Sequence, residues 1–216
     1  MDATPRKIPS HELTYTRLRD MVLYGRLEPG QPVTIQGLCA ALDAGMTPVR
    51  EAIRRLTAEA ALTPQGNRRV SVPVLTSRDV DQLAFARLAI EPHLVELAAA
   101  RATPALIARL TALDALVDQA INAGRVSDYL ANNHAFHFAL YEESDAPVLV
   151  DMARALWLRF GPSLRVVCAR YGAGVLQDRH KDALAAMQAG DVPGLVAAMR
   201  ADIVDGVEGV RSTLAA

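Results

Sequence analysis

The sequence predicts a mainly helical protein in two parts, a front of three helices and a β-hairpin followed by an antiparallel bundle of six helices. Apolar residues recur at helical spacing along most of the 216 residues. Aromatic residues make up only 5% of the chain, whereas Ala, Leu and Val are abundant, which favours helices packed on helices. A cluster of turn-forming residues separates two short β-prone pieces, 61–64 and 69–73, which is a hairpin pattern.

Composition excludes several classes of protein. No apolar run is long enough to cross a bilayer and no secretory leader opens the sequence, so we expect a cytoplasmic protein without a membrane partner. Cys39 and Cys168 are far apart and stand in no metal-binding spacing. The formal net charge is -1, but residues 1–76, which include the front, are net basic and the remainder is net acidic. A basic front is consistent with a polyanionic partner.

Breaks in the helical periodicity divide the chain. Residues 1–10 contain two prolines and no periodicity, and are predicted to be a mobile arm. Residues 11–76 are predicted to form the front, and residues 77–216 the helical bundle. In the third helix of the front, we expect Thr47 to be the N-cap and Pro48 to occupy the first helical position.

Three helices followed by a hairpin is the order of a winged helix-turn-helix, in which one helix enters the major groove of double-stranded DNA. Polar residues at the start of the third helix would reach base edges, and those at the hairpin tip would meet phosphates or the minor groove. The predicted DNA-contacting residues are Thr47, Arg50, Arg54, Asn67, Arg68 and Arg69. The alternative is that the arginines form a solvated helix face and an ordinary turn.

Four runs of the front carry a specific resemblance: LRDMVLYGRLEPGQPV, LCAAL, TPVREAIRRLTAEAAL and NRRVSVPVLT. They resemble the GntR family of bacterial repressors. Downstream, FARLAIEPHLVELAA and HAFHFALYEES are similar to its FCD subgroup, whose all-helical domain binds a ligand. The resemblance covers nearly the whole chain and implies a regulator that binds operator DNA under the control of a small effector.

The front departs from the family pattern at two positions. Met46 stands where the family usually has an arginine that reads a guanine or a phosphate, and Arg69 stands where a wing-tip glycine is usual. Loss of one bidentate arginine contact would remove about 1–3 kcal/mol of base discrimination. We therefore expect either an operator unlike those of relatives or a lower affinity for DNA.

The resemblance also implies a divalent metal inside the bundle, held in the family by an aspartate and three histidines. The corresponding residues here are Asn133, His137, His180 and Asp202, so two of the four ligand types are kept. Asn133 and His137 are four residues apart and share a helix face. Two histidines and a carboxylate suit Zn, Ni, Mn or Fe. The alternative is a polar pocket that no longer binds metal.

Arg87 resembles the family's arginine that meets the carboxylate of an anionic effector. Its alternative partner is Glu91, four residues later on the same helix. The resemblance thus implies a small organic or sugar acid as effector, and reading two half-sites implies a homodimer. A metal-dependent enzyme on the helical bundle is an alternative, which the absence of an identifiable general base or nucleophile disfavours. A regulator with a non-functional effector site is another.

Overall fold

The computed structural model describes residues 10–172 and 179–214. These residues divide into two compact units, one within 1–22 and 26–74 and the other within 23–25 and 75–216. None of the described helices is both long and apolar enough to span a membrane.

The described residues form nine α-helices and one small sheet. The first part of the chain contains α1 (Ser10–Leu23), β1 (Val33–Thr34), α2 (Ile35–Leu42), α3 (Met46–Ala58), β2 (Thr63–Gln65) and β3 (Arg69–Ser71). The second part contains α4 (Ser77–Ala99), α5 (Pro104–Asn122), α6 (Val126–Tyr141), α7 (Pro147–Tyr171), α8 (His180–Ala189) and α9 (Val192–Leu214), with a 3-10 helix at Glu142–Ser144. The predicted fold class is confirmed.

Two predicted boundaries lie at the edges of the described residues. Ser10, assigned from the sequence to the arm, is the first residue of α1, and residues 1–9 lie outside the described residues. The periodicity predicts the fifth helix of the bundle over about 175–189, whereas α8 begins at His180 with Arg179 as its N-cap; residues 173–178 lie outside the described residues.

The predicted cap of α3 is wrong. Gly45 is the N-cap, with no side-chain hydrogen bond, and α3 begins at Met46, so that Thr47 is exposed in the first turn. The N-cap is Gly45 because the connection from α2 to α3 is short. Asp43 ends α2 in a left-handed backbone conformation with φ of 48°. Only two residues then separate Asp43 from α3. Pro48 is tolerated at the third helical position because the first four N–H groups of a helix have no partner within it.

A third strand extends the predicted hairpin. β1 pairs with β3, which also pairs with β2, giving the antiparallel order β1-β3-β2. A two-residue strand is too short to show an alternation of apolar and polar residues, so no sequence pattern predicts it. Thr34 ends this strand and caps α2 by accepting a hydrogen bond from the N–H of Gly37 at 2.9 Å.

In the helical unit, α4 packs against α7 and α9, and apolar side chains of these three helices and of α5 and α6 form the core. A capping box between Thr76 and Asp79 fixes the start of α4. Pro92 lies inside α4 and has no N–H to donate to the carbonyl oxygen of Leu88. The guanidinium of Arg200 on α9 approaches that oxygen instead, at 3.5 Å.

Candidate functional site

The exposed face of α3 is the first candidate surface. Val49, Ile53 and Leu56 bury the opposite face of the helix, so Arg50 and Arg54 extend into solvent. Arg50 makes no hydrogen bond or ion pair with any of the residues that the structure describes. The guanidinium of Arg54 instead donates two hydrogen bonds to Glu51, at 2.7 and 3.0 Å. Of the two predicted arginines, Arg50 is therefore the one that could bind a ligand without giving up a partner among the described residues.

The hairpin presents three exposed polar side chains at its tip. Asn67 and Arg68 adopt left-handed backbone conformations with φ of 60° and 57°, while Arg69 lies in β3. The carbonyl oxygen of Arg68 accepts a hydrogen bond from the N–H of Ile35 at 3.2 Å, which ties the tip to the start of α2. Arg69 has the ordinary backbone of a β-strand, so the glycine usual in the family is not required at this position. Arg68 instead has a conformation that glycine adopts more easily.

A second candidate site lies inside the helical unit. His137 of α6 and His180 of α8 are fully buried, and Asp202 of α9 is largely buried. One ligand atom from each of these residues lies within 4.8 Å of the other two. Nε2 of His137 is 3.1 Å from Oδ2 of Asp202. The structure therefore brings together three of the four predicted metal ligands, from three different helices.

The hydrogen bonds of Tyr141 determine which nitrogen of His137 carries the proton. The Tyr141 hydroxyl donates its single proton to Oε2 of Glu91 at 2.7 Å. Nδ1 of His137 lies 3.0 Å from the same hydroxyl oxygen, so Nδ1 must be the donor in this contact. If the ring is neutral, Nε2 then carries a lone pair and acts as an acceptor. This nitrogen faces the carboxylate of Asp202.

Burial and the neighbouring carboxylate act on the pKa of His137 in opposite directions. Burial lowers the pKa of His137, and attraction to Asp202 offsets this effect only in part. Burial raises the pKa of Asp202, but its contact with His137 and attraction to both histidines outweigh burial and lower the pKa to about 2. Nε2 of His137 and Oδ2 of Asp202, 3.1 Å apart, are therefore close enough to share a proton or to bind one cation. A bound cation would satisfy both atoms, so these residues fit a divalent metal.

Asp202 is oriented by the backbone. Its Oδ1 accepts a hydrogen bond from the N–H of Arg179 at 3.1 Å, which leaves Oδ2 directed at His137. Asn133 is buried on α6, one turn before His137. Its amide as a further ligand stays a prediction.

The surroundings of His180 contain an acidic residue that sequence reasoning missed. The His180 ring stacks on Phe136, with centroids 3.7 Å apart and planes inclined by 16°. Neither ring nitrogen has a hydrogen bond within the described residues. Nδ1 is nevertheless 3.4 Å from Oδ1 of Asp114 on α5, and contact with His180 lowers the pKa of Asp114. The sequence signal that could have identified Asp114 is an acidic residue on the otherwise apolar face of a predicted helix.

Arg87 pairs with Glu91, the alternative partner that the sequence left open. The guanidinium is buried and donates to the two carboxylate oxygens at 2.6 and 3.1 Å. It also lies over the rings of Trp157 and Phe160, at 4.6 and 4.7 Å from their centroids. Burial lowers the pKa of Arg87, but Glu91 outweighs that effect and raises it. Contact between Arg87 and an effector stays a prediction, and such an effector would have to share the guanidinium with Glu91.

Comparisons with known proteins cover both parts of the chain. A family model described as bacterial regulatory proteins, gntR family, matches residues 11–72, and the FCD domain model matches residues 82–205. The HTH-type transcriptional regulator McbR of Escherichia coli (strain K12) is 31% identical over 180 residues, 82% of this chain and 81% of that protein. The Nta operon transcriptional regulator of Aminobacter aminovorans is 33% identical over 138 residues, 63% of this chain and 64% of that protein.

Solved structures give the same fold. The E. coli McbR/YncC structure matches with a TM-score of 0.88 and 26% identity, covering 95% of this chain and 99% of that one. A GntR structure from Rhodococcus sp. RHA1 matches with a TM-score of 0.76 at 23% identity, covering 94% and 97%, and supports the fold alone.

Proposed function

The chain belongs to the gntR family of bacterial regulatory proteins and carries an FCD domain, and from this premise we propose a ligand-responsive repressor whose helical domain binds a small organic or sugar acid beside a divalent metal. Like its relatives it is a transcriptional regulator, not an enzyme. The observation that carries the proposed effector site is the convergence of His137, His180 and Asp202 in a buried cluster, with Nε2 of His137 3.1 Å from Oδ2 of Asp202.

The DNA-binding role is assigned to α3 and the hairpin tip. Helix α3 would lie in the major groove with Thr47 and Arg50 near base edges. Asn67, Arg68 and Arg69 would contact the phosphate backbone or the minor groove. A homodimer would present two such surfaces to two half-sites.

Replacing Arg50 with alanine is expected to weaken binding to the operator by about 1–3 kcal/mol and to relax specificity at one base pair, because the substitution removes an exposed arginine that pairs with none of the described residues. The measurement is a mobility-shift titration with the promoter DNA of the protein's own gene at fixed salt. Arg109→Ala, which removes an exposed arginine on α5, is the matched control. Failure of the unchanged protein to shift that DNA would contradict the proposed role, and equal binding by Arg50→Ala would contradict the assignment of Arg50.

Replacing Arg68 with glycine is expected to separate folding from DNA binding. The left-handed backbone at Arg68 costs an L-residue about 1–2 kcal/mol, which glycine avoids while adding about 0.5–1 kcal/mol of backbone entropy cost. Unfolding in urea should therefore show unchanged or slightly higher stability. The slope of log K against log salt should fall by about one, since one phosphate contact is lost. An unchanged slope would remove Arg68 from the proposed interface.

The metal would be held by Nε2 of His137, Oδ2 of Asp202 and a ring nitrogen of His180, with the amide oxygen of Asn133 as a further ligand. When bound, it would supply a Lewis acid that binds a carboxylate oxygen of the effector. The chain's own contribution is to exclude water, to orient the ligand atoms and to place Arg87 on a neighbouring helix. Effector binding would act by favouring one arrangement of the DNA-binding parts over another.

A further inference from the structure

We infer that two buried groups outside the ligand set, the Glu91–Tyr141 pair and Asp114, fix the ring nitrogen that each histidine presents to the metal. The inference rests on the metal site of the proposed function. Tyr141 holds the proton of His137 on Nδ1, and Asp114 holds that of His180 on Nδ1. Both histidines then direct Nε2 into the site.

The Glu91–Tyr141 pair leaves one arrangement of protons. Glu91 is completely buried and accepts hydrogen bonds from three partners, the guanidinium of Arg87, the hydroxyl of Tyr141 at 2.7 Å and Nε1 of Trp157 at 3.1 Å. A carboxylate accepts and does not donate, so the Tyr141 proton points at Glu91. The hydroxyl oxygen is left to accept from Nδ1 of His137 at 3.0 Å.

Asp114 performs the same task for His180 directly. It faces Nδ1 of His180 at 3.4 Å, a distance that a small shift would close to a hydrogen bond. Stacking on Phe136 fixes the plane of the imidazole and so limits the directions in which its nitrogens can point. Lys181 keeps Oδ2 of Asp114 on the solvent side. Its Nζ is 3.6 Å from that oxygen and 2.9 Å from Asp118.

A role confined to folding would not produce this pattern. Histidine ligands of metals generally donate their second nitrogen to a carboxylate, carbonyl or water, and losing that partner costs about 10–100-fold in metal affinity. The two histidines come from different helices, yet each Nδ1 lies beside such a partner, one of them through a hydroxyl. Removing either partner should therefore change metal binding more than it changes stability in the absence of metal.

The first test measures the proton on His137 without metal. Long-range ¹H–¹⁵N spectra of the metal-free full chain should show the Nδ1–H form in the unchanged protein. In Tyr141→Phe the proton should move to Nε2, where Asp202 can accept it. Tyr171→Phe, which alters a tyrosine 43% exposed on α7, should leave the spectrum unchanged. An Nε2–H form or an imidazolium in the unchanged protein would overturn the inference.

The second test measures Zn²⁺ affinity by titration calorimetry. Tyr141→Phe and Asp114→Asn should each weaken Zn²⁺ binding by about 10–100-fold. Asp151→Asn, which alters an aspartate on α7 whose side chain is 76% exposed, should bind as the unchanged protein does. Equal affinity in all variants would overturn the inference while leaving the metal site standing. If the unchanged protein binds no Zn²⁺, the proposed site fails, and the proton position in Tyr141→Phe still decides the inference.

Discussion

Replacing Glu91 with alanine is expected to lower the free energy of unfolding by about 3–5 kcal/mol, the cost of breaking a buried ion pair from one side. The substitution would leave the buried guanidinium of Arg87 without its carboxylate, and the hydroxyl of Tyr141 and the indole N–H of Trp157 without their acceptor. Urea unfolding of the metal-free protein measures the change.

A double variant separates the effect of losing the buried charges from the effect of losing side-chain volume. Arg87→Met with Glu91→Leu removes both charges, and replacing a buried pair by apolar residues of similar size is often neutral. This variant should recover most of the lost stability, although Tyr141 and Trp157 stay without an acceptor. A decrease of less than about 1 kcal/mol in Glu91→Ala would show that Arg87 finds another partner or reaches water.

Replacing His180 with alanine is expected to remove the stabilisation that Zn²⁺ gives the protein. At a free concentration one hundred times its dissociation constant, a ligand specific for the folded state stabilises by about 2.7 kcal/mol. His180→Ala should lose nearly all of this increment because one of three converging ligands is gone. The measurement is the difference in unfolding free energy with and without Zn²⁺, which cancels the cost of the cavity itself.

The control for this measurement is His93→Ala. His93 is an exposed histidine on α4 that lies 3.3 Å from Glu96, and its loss should leave the Zn²⁺ increment intact. The same increment in His180→Ala would exclude His180 as a ligand. Absence of stabilisation by Zn²⁺, Ni²⁺ or Mn²⁺ in the unchanged protein, with or without small organic acids, would favour a regulator whose effector site does not function.

The sequence predicted elements better than their ends. Periodicity over ten or more residues was enough to find the helices, because each buries a continuous apolar face. The side chain of Thr47 favours it as the N-cap of α3, but Asp43 ends α2 with only two residues between it and α3, so Gly45 takes the N-cap position. β1 could not be found because its pairing partner, β3, lies more than thirty residues later.

The candidate metal site shows the same limit. His137, His180 and Asp202 could be assigned from the family pattern, and the structure brings them together. Their outer partners could not, because the contact between Tyr141 and Glu91 joins residues 50 apart. The phase of α5 that turns Asp114 towards His180 likewise depends on how the helices pack.

The proline in α4 has a mechanical consequence. Pro92, next to Glu91, cannot donate the backbone hydrogen bond that the carbonyl oxygen of Leu88 would otherwise accept. Arg200 of α9, two residues before Asp202, contacts that oxygen. Helix α9 thus contacts α4 beside a proline, the residue at which helices most commonly kink. A displacement of α9 at Asp202 would therefore meet α4 at a point where one backbone hydrogen bond fewer opposes bending.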